Sequence, residues 1–455
     1  MFLIAYIIQV KNPTEAKFMV EIMPFKGLMY NKGKIISLDK VMSPPYDIIS
    51  DETQSQLYEK HPNNFVRLIL GKINKDDTES NNRYTRAKEF LDKWQRESLL
   101  IASKKPGIYP YKIRYQVNNH YKTMSGFFVL LKLDPSYKFV KAHERTLSKP
   151  KADRLNLMRA CKANLEPIQL LYIDEDDKIR KTIDEFIGKP LVDVTGYDDF
   201  NHRLWRIEDE TIISMFQNEL KDKVLFIADG HHRYQTAINF ADEMREKTGI
   251  LEDNAPFNYR MVILANMFDE GLMILPTHRL IKKPDINIDG LIKDLEKYFH
   301  VEEKISSYEK KNIENICKNI KNNIKTDDGH KFALYVKDKY YVLTLKDEKI
   351  MDEFASDRSE IWRMLDVSIL HKIILEELMG INQDNLEDHI KYTRVDEEAV
   401  SFVDEGKFDF SFLMNATKIE ELKAIADAGE HMPQKSTYFL PKMLSGLVMY
   451  KMDLE

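Results

Sequence analysis

Five residues that can bind ions or transfer protons follow one another in the chain: Asp229, Gly230, His231, His232 and Arg233. The apolar run at 224–228 just before them predicts a buried strand. Positions 234, 237, 238 and 241 just after them have the i, i+3, i+4 and i+7 spacing of one buried helical face. The sequence therefore predicts a strand, a tight turn and a helix, with the five residues in the turn.

A turn of this composition is suited to phosphate. A helix N-terminus offers unpaired N–H groups and a partial positive charge, which favour phosphate oxygens. Gly230 lets the backbone come close, Arg233 can pair with phosphate through its guanidinium fork, and Asp229 can hold a proton or a metal ion. The structural alternative is an N-cap at Asp229 and hydrogen-bonded interior histidines. We interpret the turn as a phosphate site, because capping alone does not need five such groups.

Other polar groups could complete such a site. Asp47 ends a stiff double-proline turn, where it is either a rigidly held catalytic carboxylate or bonded to its own backbone. His143 and Glu144 are adjacent in sequence, so in a strand only one of them could face a cleft, and an ordinary surface salt bridge is the alternative. The remaining candidates are cations and hydroxyls that could contact phosphate or simply be solvated: Arg145, His278, Arg279, Lys435, Ser436 and Thr437.

The elements that position these groups indicate an α+β protein. Strands are predicted from Ile35 and at 108–115, 125–133, 224–228 and 259–267, with helices at 53–60 and 83–99. After about residue 280 we expect a helix at 313–324, a hairpin of 332–336 with 340–345, a helix capped by Asp366, a capping box of Thr417 with Glu420, and a last strand at 446–451. The length of 455 residues favours more than one domain. We predict an N-terminal α/β domain over 1–280, a small α+β unit over 281–350 and a C-terminal segment over 351–455 that returns the loop 432–437.

The composition narrows the classes of function. A net charge of -6 with 31% charged residues argues against a general nucleic-acid coat. The two cysteines, Cys161 and Cys317, are far apart, so neither a disulfide framework nor a zinc ribbon is expected, and a reducing cytoplasm is the simplest location. The apolar start of about ten residues is too short to span a bilayer and lacks signal-peptide features. The P-loop, G-x-G-x-x-G, H-E-x-x-H and G-x-S-x-G motifs are absent from the sequence.

Several longer motifs resemble one known family. The segments are SPPYDII at 43–49, NNFVRLILG at 63–71, HERT at 143–146, ADGHHRYQTA at 228–237, LPTHR at 275–279 and MPQKSTYFLPK at 432–442. They identify the chain as a member of the family called domain of unknown function 1015, over nearly its whole length from about residue 22. The name of that family implies no activity.

A looser resemblance implies one. The DGHHR turn is similar to the signature of free-serine kinases built on the ParB/sulfiredoxin-like fold, whose ParB relatives bind CTP at the matching turn. The resemblance implies a ParB/sulfiredoxin-like mixed α/β core with a large insertion, plus a smaller C-terminal α+β domain. It implies that Asp229 and His232 act on the transferred phosphoryl group, that Arg233 binds phosphate, and that Mg²⁺ is held at Asp229. The donor would be a nucleotide such as ATP or ADP, or pyrophosphate, and the base would be Asp47 or Glu144.

Three hypotheses follow. The first is a phosphoryl-transfer enzyme for a small metabolite, with free serine or O-phosphoserine as the leading substrate and a phosphatase as its nearest relative. The second is a nucleotide-binding ParB-like switch protein without catalysis. The third is a scaffold, which would show Asp229 and Arg233 in internal salt bridges with no cavity beside them. No membrane partner is expected, homo-oligomerisation is compatible with the sequence, and donor, substrate, reaction direction and base stay open.

Overall fold

The computed structural model describes residues 19–117, 119–144, 148–305, 312–326 and 329–453. Arg145, one of the predicted phosphate-binding residues, lies outside these ranges. A nine-stranded mixed sheet and a six-stranded antiparallel sheet organise the described chain. The predicted α+β class is confirmed.

The nine-stranded sheet is built from the first part of the chain. Its strands are β1 (Ile22–Met23), β2 (Tyr109–Val117), β3 (His120–Lys132), β4 (Val140–Lys141), β5 (Ile168–Tyr172), β6 (Val192–Thr195), β7 (Asn201–Leu204), β8 (Leu225–Asp229) and β9 (Tyr259–Asn266). They lie in the order β4-β8-β5-β9-β3-β2-β7-β6, and β1 pairs with β3. All residues of β5 and β9 are buried, because helices or loops cover both faces of the sheet centre.

Eight α-helices of the described residues accompany this sheet. They are α1 (Leu38–Val41), α2 (Asp51–Lys60), α3 (Val66–Ile69), α4 (Arg83–Arg96), α5 (Ser148–Cys161), α6 (Lys178–Phe186), α7 (Glu210–Leu220) and α8 (His231–Thr248). The buried face of α8 includes the four positions that the apolar spacing predicted, 234, 237, 238 and 241. Part of this face packs against Met158 of α5, which fixes the direction in which α8 leaves the sheet.

The six-stranded sheet lies later in the chain. Its strands are β10 (His278–Ile281), β11 (Phe299–Ile305), β12 (Lys331–Val336), β13 (Lys339–Leu345), β14 (Ile390–Thr393) and β15 (Phe410–Leu413), in the order β11-β13-β12-β15-β10-β14. The helices are α9 (Ile288–Leu295), α10 (Ile313–Ile324), α11 (Ile350–Phe354), α12 (Glu360–Arg363), α13 (Asp366–Ile369), α14 (Leu386–His389), α15 (Asp396–Asp404) and α16 (Ile419–Asp427). A π-helical stretch, Leu370–Leu378, continues α13. The predicted helix at 313–324 and the predicted hairpin are confirmed.

The end of the chain returns to the first part of the fold. Phe439–Leu440 pairs with Met273–Ile274, and Tyr450–Lys451 pairs with Ala163–Asn164. Between them, single bridges join Ser445 to Ser43 and Met449 to Leu28. Segments more than 150 residues apart in sequence are therefore neighbours, and one apolar cluster holds side chains of both large sheets. This return places residues 432–442 beside the DGHHR turn.

Four local predictions were wrong: the strand at Ile35, the cap at Asp366, the extent of the last strand and the capping box before α16. No strand begins at Ile35, and the chain instead enters α1 at Leu38. Leu365 rather than Asp366 precedes α13. The last strand covers only Tyr450–Lys451, because residues 446–448 are in no strand and Met449 makes a single isolated bridge.

The capping box before α16 is also displaced by one residue. Lys418 precedes the helix and its N–H donates to the Glu421 carboxylate at 2.8 Å. The Thr417 hydroxyl donates instead to the carbonyl of Ser436 at 2.8 Å, because the loop 432–437 folds over it. A contact with the distant loop therefore decides where the cap lies, and the local sequence pattern does not.

The predicted boundaries do not coincide with the sheets. The six-stranded sheet combines β10, which crosses the predicted boundary at 280, with β12 from 281–350 and β14 from 351–455. The division into three domains stays a prediction. Both cysteines are buried free thiols, and across the described ranges no helix combines the length and apolarity that crossing a membrane requires.

Candidate functional site

The DGHHR turn joins β8 to α8. Gly230 adopts φ +96°, in the left-handed region that glycine tolerates best, and α8 begins at the next residue. The predicted strand, turn and helix are confirmed, and the helix starts three residues before its apolar pattern does. His231, His232 and Arg233 therefore occupy the first turn of an 18-residue helix.

Asp229 lies between two cations. One carboxylate oxygen accepts a hydrogen bond from Lys442 Nζ at 2.6 Å, and the other accepts from Arg233 Nη2. Burial alone would raise the pKa of this carboxyl. The charges of Lys442 and Arg233 outweigh burial and hold the pKa below its usual range, so Asp229 is ionised at neutral pH.

Arg233 is held entirely by the protein in this arrangement. Its side chain is 6% exposed, with Nη2 donating to Asp229 and Nη1 donating to the carbonyl of Pro167. The carboxylate of Asp229 raises the pKa of Arg233 against the opposing effect of burial. The sequence predicts that Arg233 binds phosphate. Its observed contacts are those of a residue that positions Asp229.

Two histidines pack against each other beside this turn. The rings of His143 and His231 pack edge to face, with their centroids 4.5 Å apart. The His143 backbone N–H donates to His231 Nε2 at 3.4 Å. His231 Nε2 is thus the acceptor, which leaves the proton of the neutral ring on Nδ1, 3.7 Å from Glu144 Oε2. Burial lowers the pKa of His231 well below its usual value and lowers that of His143 to about 3. Both rings are neutral at physiological pH.

Glu144 carries the carboxyl whose pKa suits proton transfer. Burial raises its pKa to about 7, although the charge of Lys435 acts in the opposite direction. Glu144 and His231 line a cavity of about 450 Å³ that also contacts Gln235 and His431. A carboxyl that titrates near neutrality beside a cavity can serve as a general acid or base.

The loop 432–437 closes over these groups. The Met432 N–H donates to the carbonyl of His143 at 2.7 Å, and the Thr437 hydroxyl is 3.0 Å from His143 Nε2. The Ser436 hydroxyl is buried and donates to a backbone carbonyl of the same loop. Lys435 is exposed, with φ +56°, and its charge acts on Glu144 and His232. Lys435 is thus the exposed residue of this loop and can contact a ligand.

Asp47 lies near the charged groups around Asp229, although it is far from them in sequence. It is exposed on a 3₁₀ turn, Tyr46–Ile48, which the Tyr46 N–H ties to the Glu166 carboxylate at 3.1 Å. The charge of Asp47 acts on Arg233, Lys442 and His232. The turn therefore presents a second carboxylate to the charges that surround Asp229.

His232 is half-buried on the first turn of α8. Burial lowers its pKa, and the charges of Lys435, Lys151 and Arg233 lower it further. Its carbonyl accepts a hydrogen bond from Thr236 at 2.7 Å, one turn along the helix. His232 is therefore a neutral imidazole among cations.

His278 and Arg279 lie in β10, and Arg279 contacts the backbone of the loop 432–437. His278 Nε2 is 2.8 Å from Asp396 Oδ1, while its Nδ1 accepts from the Met414 N–H at 3.1 Å. Arg279 is buried, and its Nη2 donates to the carbonyl of Lys435 at 3.5 Å. Burial lowers the pKa of Arg279 to about 10. The observed partners of these two residues are protein groups of α15, of the residue that follows β15 and of the loop 432–437.

Several residues of this cluster were missed by the sequence analysis. Lys442 is the most important, because it binds Asp229 directly and is nine-tenths buried. Tyr438 lies between two cations, with Lys442 4.4 Å and Arg394 4.5 Å from its ring centroid. Lys442 ends the MPQKSTYFLPK motif, so the motif itself was the available signal. The buried carboxyl of Glu166 had no motif to mark it.

Magnesium does not fit the predicted ligand. Mg²⁺ binds carboxylate and water oxygens in a near-octahedral shell, but both oxygens of Asp229 accept hydrogen bonds from cations. Within the part of the chain that the structure describes, no three His, Cys, Asp or Glu side chains are grouped to hold a metal ion. Asp229 is therefore not available as a magnesium ligand in this arrangement.

Substitution of Gly230 by alanine should destabilise the protein by about 1–3 kcal/mol. The φ of +96° is strained for an L side chain, and the new Cβ would lie 3.1 Å from Arg233 Nε. Urea unfolding measures the change, with Gly188→Ala as the control because a Cβ at Gly188 meets no heavy atom within 4 Å. Equal stability of the two variants would contradict the geometry of this turn.

Comparison with known proteins gives one family and several distant structures. A family model described as "Protein of unknown function (DUF1015)" matches residues 22–368. No curated protein matches the chain. A conserved hypothetical protein from Pyrococcus furiosus is 15% identical, with a TM-score of 0.33 over 70% of this chain and 95% of that one.

Two other similar structures carry a named protein. A free serine kinase in complex with ADP is 14% identical, with a TM-score of 0.34 over 70% of this chain and 92% of that one. SbnI with a C-terminal truncation, from Staphylococcus aureus, is 8% identical, with a TM-score of 0.34 over 70% of this chain and 85% of that one. Because these TM-scores are low, we argue function from the site itself.

Proposed function

This chain belongs to the DUF1015 family, and from the charges at its DGHHR turn we propose that it is an enzyme of phosphoryl transfer to or from a small hydroxyl metabolite. The observation that carries the proposal is the Asp229 carboxylate held between Lys442 and Arg233 at the start of α8. Fixed cations and a helix N-terminus attract phosphate oxygens. Enzymes transfer phosphoryl groups mainly by positioning and charge stabilisation of this kind.

The residues divide into three roles. Lys442 and the exposed Lys435 neutralise phosphate charge, while Arg233 keeps Asp229 in place. Glu144 takes the proton of the attacking hydroxyl, because its pKa of about 7 lets it accept a proton at neutral pH. In the kinase direction the hydroxyl oxygen attacks the terminal phosphorus of the donor, its proton passes to Glu144, and the bond from phosphorus to the leaving phosphate breaks. Asp47 is the second carboxylate that could serve as the base.

The cavity beside the DGHHR turn argues against the scaffold hypothesis. That hypothesis needs Asp229 and Arg233 in internal salt bridges with no cavity beside them. The salt bridges exist, but Glu144 and His231 line a cavity of about 450 Å³ next to the same turn. Pockets of several hundred cubic ångströms are the usual size of small-ligand sites.

Free serine with an adenine nucleotide or pyrophosphate is the first substrate pair to test, and this choice rests on the resemblance of the DGHHR motif. The purified chain is incubated with serine and ATP, ADP or pyrophosphate, with and without Mg²⁺, and phosphoserine is measured by mass spectrometry. A parallel incubation with O-phosphoserine, followed by free phosphate, tests the reverse and phosphatase directions. Asp229→Asn should remove any activity found. If neither phosphoserine nor phosphate appears in any mixture, the proposal on this substrate is wrong.

Replacement of Glu144 by glutamine should lower the turnover number by about 10²–10⁴-fold. In the kinase direction the wild-type rate should rise with pH through about 7 as Glu144 ionises, and this limb should vanish in the variant. Because the pKa of Glu144 is higher in the folded protein than in the unfolded chain, folding favours the protonated carboxyl. The stability that the protonated carboxyl provides is therefore lost as pH rises through about 7. The variant should therefore be at least as stable as wild type at pH 8.

The matched control is Glu353→Gln on α11, at an exposed position. It should keep both the rate and the pH profile. A Glu144→Gln enzyme that retains the wild-type limb would exclude Glu144 as the base and favour Asp47.

A further inference from the structure

An arginine from the six-stranded sheet lies beside the candidate site. Arg394 directly follows β14, and its guanidinium carbon lies 4.5 Å from the centroid of the Tyr438 ring. Lys442 Nζ lies 4.4 Å from the same centroid and donates to the Asp229 carboxylate at 2.6 Å. One aromatic ring therefore connects Arg394 to the cation that pairs with Asp229.

The N–H groups of Arg394 are not taken up by the protein. The side chain is half-buried, its Nε is buried without a hydrogen-bond partner, and within the described ranges no hydrogen bond or ion pair joins Arg394 to another residue. Arg233, by contrast, donates to Asp229 and to the carbonyl of Pro167, and Arg279 donates to two backbone carbonyls. Of these three arginines, Arg394 is the one that can bind a ligand without breaking a hydrogen bond to the protein.

The charge of Arg394 acts on the acid–base group of the same site. Burial raises the pKa of Glu144, and the charges of Lys435, Lys442 and Arg394 lower it. Burial also raises the pKa of Tyr438, which Lys442 and Arg394 lower. The two lysines belong to the C-terminal segment, and Arg394 belongs to the six-stranded sheet. The positive charge around Glu144 therefore comes from both parts of the fold.

We propose that Arg394 binds the phosphate of the substrate, the role that the sequence predicts for Arg233. This inference rests on the proposed function and names the arginine that contacts phosphate in it. A guanidinium that lies over an aromatic ring keeps its N–H groups for other partners, and a phosphate accepts two of them in a bidentate pair. Lys435 and Lys442 supply the remaining positive charge. Phosphate binding then requires the six-stranded sheet as well as the DGHHR turn.

Calorimetric titration of the full chain with pyrophosphate and with inorganic phosphate measures this contact. Arg394→Met should raise the dissociation constant of whichever probe binds the wild type by about 10–100-fold, because a charged hydrogen-bond donor is lost. Arg394→Lys should recover only part of the affinity, since lysine returns the charge without the guanidinium fork. A wild-type crystal grown with pyrophosphate should show phosphate oxygens within hydrogen-bonding distance of Arg394.

The pH profile separates a binding role from a purely structural one. Because the charge of Arg394 lowers the pKa of Glu144, the Arg394→Met substitution should move the rising limb of the rate in the kinase direction to higher pH. The melting temperature should fall by no more than about 4 °C, since a cation–π contact is weaker than a buried ion pair.

Arg114→Met is the matched control, because Arg114 is exposed on β2 and lies over the ring of Tyr121 at 4.2 Å. It should keep the wild-type affinity and pH profile. Unchanged affinity in Arg394→Met, or a crystal in which Arg233 and not Arg394 contacts phosphate, would overturn this inference and leave the proposed function intact. A wild type that binds neither probe and transfers no phosphate would overturn both. If Arg394→Met does not fold, Arg394→Lys and the wild-type crystal decide the question.

Discussion

Lys442→Met is expected to slow phosphoryl transfer by about 10²–10³-fold, the usual cost of removing one fixed donor from developing negative charge. Burial favours the neutral amine at this position, but the carboxylates of Asp229 and Asp47 outweigh burial and raise the pKa of Lys442. Lys442 is therefore an ammonium group fixed at the start of α8. Methionine keeps much of the side-chain volume and removes the charge. The measurement is the rate of phosphoserine formation or of phosphate release, below the melting temperature of the variant.

Lys451→Met is the matched control, because Lys451 lies on the same C-terminal segment with its side chain 44% exposed. It should leave the rate unchanged within twofold. Lys442→Arg should restore part of the activity, since it returns the positive charge. A Lys442→Met enzyme with full activity would mean that phosphate binds elsewhere, and the proposed function would lose the observation on which it rests.

Arg233→Met is expected to lower the free energy of unfolding by about 3–5 kcal/mol, the range seen when one partner of a buried ion pair is removed. The substitution breaks hydrogen bonds to Asp229 and to the carbonyl of Pro167. Asp229 then keeps Lys442 as its remaining cation among the described residues. From the sequence alone we would expect a phosphate-binding arginine to be replaceable without loss of stability. Its buried contacts predict the opposite, a loss of stability, and urea unfolding measures the change in the free energy of unfolding.

The pH dependence gives an internal check on the same variant. The folded-state pKa of Asp229 is lowered, so its stabilising effect is present above the unfolded pKa and is lost as pH falls. The stability difference between wild type and Arg233→Met should therefore be full at pH 7 and shrink below about pH 4. Arg203→Met, which removes an exposed ion pair with Asp193, should cost no more than about 1 kcal/mol at either pH. A similarly small loss in Arg233→Met would contradict the buried pair.

The Lys442→Met and Arg233→Met predictions both concern the carboxylate of Asp229. The first measures its surroundings through the rate of phosphoryl transfer, and the second measures them through stability. Lys442 reaches Asp229 because Phe439–Leu440 pairs with Met273–Ile274 just before it, and because the chain then pairs with Ser43. Any change that loosens this return of the C-terminal segment would remove a cation from the candidate site. The C-terminal segment therefore contributes a residue to the candidate site as well as stabilising the fold.

The DGHHR turn is the part of the site that could be predicted from sequence. A strand of apolar residues, a glycine and a helical repeat are local patterns, and hydrogen bonding between near neighbours decides them. The helix at 313–324 and the hairpin after it could be predicted for the same reason. The capping box before α16 could not, since the Thr417 hydroxyl donates to the carbonyl of Ser436, which lies 19 residues further along the chain.

By itself the sequence determined that a strand, a turn and a helix place an acid, two histidines and an arginine together, and that the chain is an α+β member of its family. Only the tertiary structure decided which of those groups a ligand can reach. Lys442 is 213 residues from Asp229, Arg233 is committed to protein partners, and the pKa of Glu144 depends on burial by segments that are remote in sequence. Ionisation and access follow from the three-dimensional surroundings of a side chain, and no local pattern encodes them.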